Sequence, residues 1–145
     1  FDNEGVATKP RTLIKEGVLN GYMLSSYSAR KLGMQSTGNA GGNHNLIVSH
    51  GDLGLNGLLK MMGTGLLVTE LLGHGINMVT GDYSRGAAGF WVENGVIVHP
   101  VEEITIAGNL QTMLKQIVAV GNDVLVQGSK RVGSILIENM TVAGD

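Results

Sequence analysis

The stretch GFWVENGVIVHPV, residues 89–101, decides the fold class of this chain. Two apolar runs rich in β-branched and aromatic residues flank Asn94-Gly95, a dipeptide that strongly favours a two-residue hairpin turn. A second stretch, RTLIKEGVLNGYML, repeats this arrangement around Glu16-Gly17. An internal duplication would also explain the likeness of the two stretches, but a hairpin is a generic unit. The sequence therefore predicts a protein built around β-hairpins.

Six further runs resemble strands and are punctuated by glycine, of which the chain has 23. They are NLIVS, GLLVTELL, INMVT, EEITIAG, DVLVQ and SILIENMTVAG. Their spacing of about ten residues favours a curved antiparallel sheet or a barrel-like β domain. Because the chain has two prolines and no low-complexity linker, residues 1–145 are predicted to form a single domain.

Two amphipathic helices are predicted between the strands, which makes the expected class α+β and β-rich. The first helix is expected to follow Asp52 as its N-cap and to end at Gly63. The second is expected to follow Asn109 and to end at Gly121. Its apolar stripe is predicted to consist of Leu110, Met113, Leu114, Ile117 and Val118. The segment SARKLG allows a further short turn of helix.

The composition argues against several classes of protein. Hydrophobic residues make up 43% of the chain and charged residues 15%, so large buried faces and a subunit interface are expected. The net charge is −2 without a run of lysine or arginine, which argues against a nucleic-acid partner. No apolar run is long enough to span a membrane, and the lack of cysteine excludes disulfides and thiolate ligands. The chain begins at Phe1 without an initiator methionine, and we expect it to be part of a longer protein.

The stretch VTELLGHG, residues 68–75, has the frame of an H-E-x-x-x-H zinc motif but carries Thr69 in place of the first histidine. Threonine is not a usual zinc ligand, and the segment favours a buried strand that leads into a turn at His74. His44 and His50 bracket another strand-like run, but a third ligand is not at hand. The chain also lacks a G-x-S-x-G elbow. Neither a metal site nor a catalytic residue is therefore predicted.

Two polar, glycine-rich stretches are predicted to be loops: MQSTGNAGGNHN, residues 34–45, and TGDYSRGAAGFW, residues 80–91. The second stretch carries Tyr83 and Arg85 beside small residues, where exposed backbone amides would suit an extended peptide. Two solvated loops without a binding role explain this composition equally well.

Four stretches carry a resemblance that covers essentially the whole chain: FDNEGVATKPRTLIKEGVLNGYMLSSYSARKLGMQSTGNAGG, GTGLLVTELLGHGINMVTGDYSRGAAGFWVENG, VEEITIAGNL and VGNDV. They are similar to the C-terminal portion of the PmbA/TldD family, and most similar to its PmbA-like members, once described as modulators of DNA gyrase. The resemblance implies a cytoplasmic metallopeptidase in which TldD-like and PmbA-like subunits pair. Such complexes process an antibiotic peptide precursor and degrade an unstructured antitoxin.

The same resemblance implies that zinc lies outside this chain. In TldD-like members the metal is held by an H-E-x-x-x-H helix, which would precede the region matching Phe1, and by a later cysteine. The region where that cysteine falls reads LVQGSKRVGSILIENMTVAG here, which is shorter and has no cysteine. PmbA-like members also lack the motif, so no cofactor is expected in this chain and zinc is expected in a TldD-like partner. The frame in VTELLGHG is then a coincidence.

The expected function is that of the C-terminal domain of a PmbA-like, non-catalytic subunit. It would pair with a TldD-like subunit or with itself and help to form a chamber for unfolded peptides. The residues expected to line that chamber are Tyr27, Arg30, Ser36, Thr37, Asn39, Asp82, Tyr83 and Arg85. Two alternatives remain open: a peptidase whose own ligands lie in a preceding part of the protein, and a regulator that contacts DNA gyrase protein to protein.

Overall fold

The computed structural model describes residues 1–144, which fall into two compact units. The first unit is Phe1–Leu46, and the second contains the described residues from Ile47 onward. In chain order the elements are β1 (Ile14–Lys15), β2 (Val18–Leu19), α1 (Ser26–Lys31), β3 (Leu46–Ile47), α2 (Leu55–Met62), β4 (Gly65–Leu72), β5 (Asp82–Glu93), β6 (Val96–Asn109), α3 (Leu110–Lys115), β7 (Ile117–Val120), β8 (Leu125–Gln127), β9 (Lys130–Val132), β10 (Ile135–Ile137) and β11 (Thr141–Ala143).

The first unit contains a short β-hairpin, which confirms the prediction made from Glu16-Gly17. Strands β1 and β2 pair antiparallel, with Ile14 opposite Leu19. Glu16 and Gly17 have φ values of 52° and 77°, the pair of left-handed conformations that a type I′ turn requires. The strand residues are all exposed, so the turn rather than a core determines this hairpin.

Helix α1 confirms the short helix expected over SARKLG. Ser25 is its N-cap, and a reciprocal pair of hydrogen bonds with Ser28 forms a capping box. The buried apolar residues of this unit are Leu24, Ala29 and Ala40, which is a small core. Polar contacts must therefore hold much of the unit together.

A four-stranded antiparallel sheet of order β11-β6-β5-β4 dominates the second unit. Its centre is the long hairpin of β5 and β6, whose turn residues Asn94 and Gly95 have φ values of 50° and 75°. The second predicted hairpin is thus confirmed, with the turn type that Asn-Gly favours. The buried core on this sheet consists of Tyr83, Ala87, Ile104 and Ile106.

Strand β5 carries an irregularity on both of its sides near Ala88. The register with β4 skips Thr69, and the register with β6 skips Ala88. An added Cβ at Gly89 would overlap the carbonyl oxygen of Leu67, so this close approach of two strands requires glycine. Bulges bend a strand and increase its twist. The sheet is consequently curved, as the sequence predicted.

Two smaller sheets are also present: β10 pairs with β7, and a three-stranded sheet has the order β3-β9-β8. The predicted class, α+β and β-rich, is confirmed. Within residues 1–144 the strands do not close into a barrel, so the open curved sheet is the predicted form that is found. None of the helices in this part of the chain has the length and apolar character needed to cross a membrane.

Helix α2 begins two residues later than predicted. Its N-cap is Gly54, which makes no side-chain capping bond, so the prediction of Asp52 as the cap was wrong. Gly63 ends the helix with a φ of 71°, as predicted. Glycine is an accepted N-cap because it readily takes the extended conformation found here.

Helix α3 begins where predicted but ends too early for the predicted stripe. The side chain of Asn109 accepts the N–H of Gln111, which confirms this residue as the N-cap. The helix ends at Lys115 rather than near Gly121, and the following residues form β7, which pairs with β10. Leu114 is 64% exposed, so its assignment to a buried stripe was also wrong. Pairing with a strand distant in sequence has overridden the local helical period.

Two assignments between β4 and β6 were wrong as well. The stretch TGDYSRGAAGFW is not a loop, because it enters β5 at Asp82 and pairs with strands on both sides. The stretch INMVT is not a strand, because it makes one bridge through Ile76 and then turns around Asn77. The Met78 and Val79 side chains in this turn are 82% and 95% exposed.

Candidate functional site

The zinc-like frame of the sequence lies on a strand and in the segment that follows it. Thr69 and Glu70 belong to β4, His74 comes after it, and all three are exposed. Among residues 1–144 no group of three or more His, Cys, Asp and Glu side chains is arranged to hold a metal ion. A catalytic zinc site takes three protein ligands, so the described residues do not fit this ion.

The second unit contains an apolar cleft of about 600 Å³. One face of the curved four-stranded sheet contributes to it, and α2 and the segment around β10 form its walls. Leucine, isoleucine and methionine supply most of the lining, including Leu58, Leu59, Met62, Leu66, Leu136 and Met140. This volume lies in the range that is usual for ligand-binding sites.

Two strand edges border the cleft. Residues 65–69 of β4 and residues 134–138 around β10 line it as unbroken runs. Because successive side chains of a strand point to opposite faces, an unbroken run indicates that the strand turns its edge to the cleft. Strand β4 is the last of its sheet, and β10 has β7 only on its other side. Within the described residues, both edges therefore present unpaired backbone groups to the cleft.

Tyr83 connects the core of the second unit to this cleft. Its side chain is 9% exposed, packs with Ala87, Ile104 and Ile106, and also lines the cleft. Tyr83 therefore belongs both to the core and to the lining of the cleft.

Asp82 and Arg85 do not line the cleft. A carboxylate oxygen of Asp82 accepts a bond of 2.6 Å from the hydroxyl of Thr80, which orders the turn before β5. Nη2 of Arg85 donates to the carbonyl of Leu71 at 3.2 Å, and Nε is buried without a partner in the described part of the chain. Of the three predicted residues in this unit, the structure brings only Tyr83 to the cleft.

Ser36, Thr37 and Asn39 lie together in the first unit, where they bind protein groups. Oγ1 of Thr37 accepts the N–H of Leu24 at 2.7 Å, and the Ser36 hydroxyl donates to the Leu24 carbonyl at 3.3 Å. Oδ1 of Asn39 accepts a bond of 2.6 Å from Nη2 of Arg11. The stretch from Met34 contains no helix or strand, which confirms the predicted loop, and these contacts order it.

Tyr27 and Arg30 both lie on α1 with exposed side chains. The ammonium group of Lys31 lies 5.9 Å from the centre of the Tyr27 ring, which is a cation–π contact. Both predicted residues are accessible to a ligand or partner, and their role in binding stays a prediction.

Asp2 organises the first unit, and sequence analysis missed it. The residue is 8% exposed, and its carboxylate accepts the N–H groups of Glu4, Val6 and Ala40, each at 2.9 Å. The bond from Ala40 is the main cause of the lowered pKa of this carboxyl group. The sequence around Gly5 carries a turn signal that could have revealed the two local bonds. The bond to Ala40 has no local signal.

Asp123 forms a cluster of hydrogen bonds with Ser134, at the segment that leads into β10. We call this cluster the Asp123 clasp. One carboxylate oxygen accepts a bond of 2.6 Å from the Ser134 hydroxyl, and the other accepts the Ser134 N–H at 3.2 Å. The hydroxyl bond lowers the pKa of Asp123. The N–H of Gly121 donates to the Ser134 carbonyl at 2.7 Å. These bonds anchor one wall of the cleft.

A family model described as the PmbA/TldA metallopeptidase C-terminal domain matches residues 1–144. The chain belongs to the PmbA/TldD metallopeptidase family. Metalloprotease PmbA of Escherichia coli O157:H7 is 57% identical over 99% of the chain and 32% of the relative. The Metalloprotease PmbA homolog of Haemophilus influenzae is 55% identical over 100% of the chain and 32% of the relative. A Metalloprotease TldD homolog of Buchnera aphidicola subsp. Acyrthosiphon pisum is 24% identical over 99% of the chain and 35% of the relative.

Two solved structures share this fold. A protein from Thermotoga maritima MSB8, described as a modulator of a DNA gyrase, superposes with a TM-score of 0.91 and 42% identity over 99% of the chain and 35% of that protein. A protein from Bacteroides thetaiotaomicron VPI-5482, also described as a modulator of DNA gyrase, gives 0.91 and 40% over 99% of the chain and 32% of that protein. The chain thus spans about a third of the length of these relatives.

Proposed function

We propose that this chain is the C-terminal domain of a PmbA-like subunit that pairs with a TldD-like subunit in a cytoplasmic metallopeptidase. In this complex the chain helps to form the chamber that admits unfolded peptides. Precursors of antibiotic peptides and unstructured antitoxins are the substrates that the resemblance suggests. The observation that carries the proposal is an open apolar cleft in a chain that matches the metallopeptidase family from residue 1 to residue 144.

The catalytic zinc and the general base are assigned to the TldD-like partner. The chain contains no cysteine, and its Glu70 and His74 lie on and after a strand rather than on a helix. The zinc motif of TldD-like members is a helix, on which ligand side chains converge from one face. The part assigned to this chain is therefore the holding of substrate, not the cleavage step.

Reconstitution with a TldD-like subunit tests the proposal. Each subunit is purified alone and in the complex, the zinc content is measured, and cleavage of an unfolded peptide is followed. We expect about one zinc ion per TldD-like subunit and none retained by this chain after dialysis. Cleavage should require both subunits and should be abolished by a chelator and restored by zinc.

Two results would contradict the proposal in different ways. Zinc-dependent cleavage by this chain alone would make it a self-sufficient peptidase. Full activity of the TldD-like subunit alone, with no association between the subunits in gel filtration, would remove the chain from the complex.

Regulation of DNA gyrase is the second candidate, because both solved neighbours carry that description. The net charge of −2 disfavours direct contact with DNA but allows contact with a protein. A pull-down that offers purified gyrase and the TldD-like subunit in equal amounts separates the two candidates. We expect retention of the TldD-like subunit only.

A further inference from the structure

We infer that Asn20 is a site of spontaneous chemical modification, at which the side-chain amide is lost and the residue becomes aspartate or isoaspartate. The chain contains three Asn-Gly pairs: Asn20-Gly21, Asn56-Gly57 and Asn94-Gly95. Glycine after asparagine leaves the attacking backbone nitrogen unhindered, because glycine has no side chain. The structure leaves this nitrogen free at the first pair and engages it at the other two. The inference does not depend on the proposed function.

The reaction needs only the two residues and water. The backbone nitrogen of Gly21 attacks Cγ of Asn20, and the new N–C bond closes a five-membered imide ring. The bond between Cγ and Nδ2 breaks, and Nδ2 leaves as ammonia together with the proton that the Gly21 nitrogen has lost. Water then opens the ring at either of its two C–N bonds. One opening gives aspartate, and the other gives isoaspartate, in which the main chain runs through Cγ.

Exposure of the side chains does not distinguish the three pairs. Asn20, Asn56 and Asn94 are all exposed, and the glycine that follows each of them is half-buried. All three side-chain amides are therefore open to water. The difference between the pairs must lie in the nitrogen that attacks.

The attacking N–H group is held at the second and third pairs. The N–H of Gly57 donates to the Gly54 carbonyl at 2.9 Å in the first turn of α2, and that of Gly95 donates to the Gly63 carbonyl at 2.7 Å. The N–H of Gly21 makes no hydrogen bond within residues 1–144. A nitrogen engaged in the fold has to give up its hydrogen bond before it can attack. At Gly21 this step is not needed.

The space around the glycines leads to the same distinction. A Cβ added at Gly21 would meet no atom within 4 Å, and residues 20–25 contain no helix or strand. At the glycines of the other two pairs, an added Cβ would come within 3.1 Å of a neighbouring residue. The peptide unit after Asn20 therefore has room to rotate into the geometry of attack, whereas the other two are enclosed.

Isoaspartate at position 20 would change the end of the β1–β2 hairpin. The N–H of Asn20 donates to the Leu13 carbonyl at 2.7 Å, and the Tyr22 carbonyl accepts a bond of 2.7 Å from Nη2 of Arg11. These two bonds hold the chain on either side of the reacting peptide unit. Isoaspartate adds a carbon atom to the main chain between them, so the two bonds can no longer both keep their geometry.

Ageing of the full-length protein tests the inference. The protein is incubated at neutral pH in native buffer and, separately, in urea, and the three Asn-Gly peptides are quantified by liquid chromatography and mass spectrometry. In urea the three pairs should react at rates within about threefold of one another, because the fold no longer distinguishes them. In native buffer Asn20 should react at least about tenfold faster than Asn56 and Asn94, which must first lose a hydrogen bond.

Two variants separate the chemistry from its consequence. Gly21→Ala is expected to fold normally, because the added methyl group has free space and Gly21 does not have a positive φ. The methyl group hinders the nitrogen, so conversion of Asn20 should slow by at least about tenfold. Asn20→Asp carries the new charge without the extra carbon and should keep the amide exchange rate of residue 20. The isoaspartate form, separated by ion exchange, should exchange that amide at least about tenfold faster.

Several outcomes would overturn the inference. Equal rates of conversion at the three pairs in native buffer would show that the free N–H of Gly21 does not decide the reaction. A native rate at Asn20 far below its rate in urea would show that another part of the protein encloses this pair. Undiminished conversion in Gly21→Ala would exclude the unhindered approach of this nitrogen. Unchanged amide exchange in the isoaspartate form would refute the effect on the hairpin.

Discussion

At the scale of single residues, Tyr83 has two roles, in the core and in the cleft, that could not be distinguished from the sequence. The residue packs in the core of the second unit and also lines the cleft. The sequence pattern of small residues around it predicted a loop residue that lines the chamber for substrate. Because the structure buries the ring, truncation of this side chain must also affect folding.

Two substitutions at Tyr83 should distinguish the contribution of the ring to stability from that of the hydroxyl. Tyr83→Ala removes a buried aromatic ring and should lower the free energy of unfolding by about 3–5 kcal/mol. Tyr83→Phe retains the ring and should cost less than about 1.5 kcal/mol. Tyr27→Ala is the control, since this ring is 62% exposed, and should change stability by less than about 0.5 kcal/mol. The measurement is urea denaturation at pH 7, and equal losses for the two Tyr83 variants would argue against a packed ring.

The Asp123 clasp should make stability depend on pH in the acid range. Its folded pKa lies below the ordinary value of about 3.9, so the charged form stabilises the fold above that value. This contribution is lost as pH falls through the folded pKa. Asp123→Asn should therefore be less stable than the unaltered chain at pH 7, and the difference should shrink below about pH 4. Denaturant titrations at a series of pH values measure this, and a difference that stays constant with pH would exclude the carboxylate as its source.

At the scale of elements, α3 and β7 show how a single apolar pattern can serve two structures. The spacing from Leu110 to Val118 fits one face of a helix, but the chain leaves the helix after Lys115 and pairs as β7 with β10. The last apolar residues of the pattern therefore belong to a strand, and Leu114 is left exposed on the helix.

Leucine-to-alanine substitutions on the two helices should differ in their effect. Leu114→Ala should change the free energy of unfolding by less than about 0.5 kcal/mol, because Leu114 is 64% exposed. Leu58→Ala on α2 should cost about 2–5 kcal/mol, because Leu58 is 4% exposed. Chemical denaturation of the isolated chain measures both. A large loss for Leu114→Ala would place this side chain in a buried environment.

Elements defined by local chemistry could be predicted, and those defined by distant pairing could not. Both hairpins follow from turn dipeptides, and Asn109 and Gly63 follow from capping preferences. The segment from Asp82 onward becomes a strand only because β4 and β6 pair with it. Its small residues are more typical of a loop, so the strand could not be predicted from the local sequence. The cleft could not be predicted, because segments distant in the chain meet there, and only Tyr83 among the predicted residues lines it.

At the scale of the whole molecule, each of the two units is stabilised internally by a different balance of interactions. The buried apolar residues of the first unit are Leu24, Ala29 and Ala40, and hydrogen bonds to Asp2 and Asn39 supplement this small core. The second unit has the larger buried set, which is Leu58, Leu59, Tyr83, Ala87, Val92, Ile104 and Ile106. The free energy of local opening should therefore be lower in the first unit.

Hydrogen exchange followed by mass spectrometry should reveal this difference in the isolated chain. Amides of the first unit should exchange at least about tenfold faster than those in the β5–β6 hairpin, after correction for intrinsic rates. Asp2→Asn should accelerate exchange in residues 34–45, because it weakens the bond from the Ala40 N–H. Uniform protection along the chain would mean that the polar contacts stabilise the first unit as well as a larger core would.

The Asn94-Gly95 turn has a consequence for the time order of folding. It joins β5 and β6 without an intervening loop, so closing this hairpin costs little chain entropy, and pairings near in sequence form early. Strands β4, β10 and β11 can join only after longer stretches of chain have been closed. We therefore expect the second unit to assemble from the centre of its sheet outward. The borders of the cleft would be the last part to form and, because they join last, the first part to come apart when the chain begins to unfold.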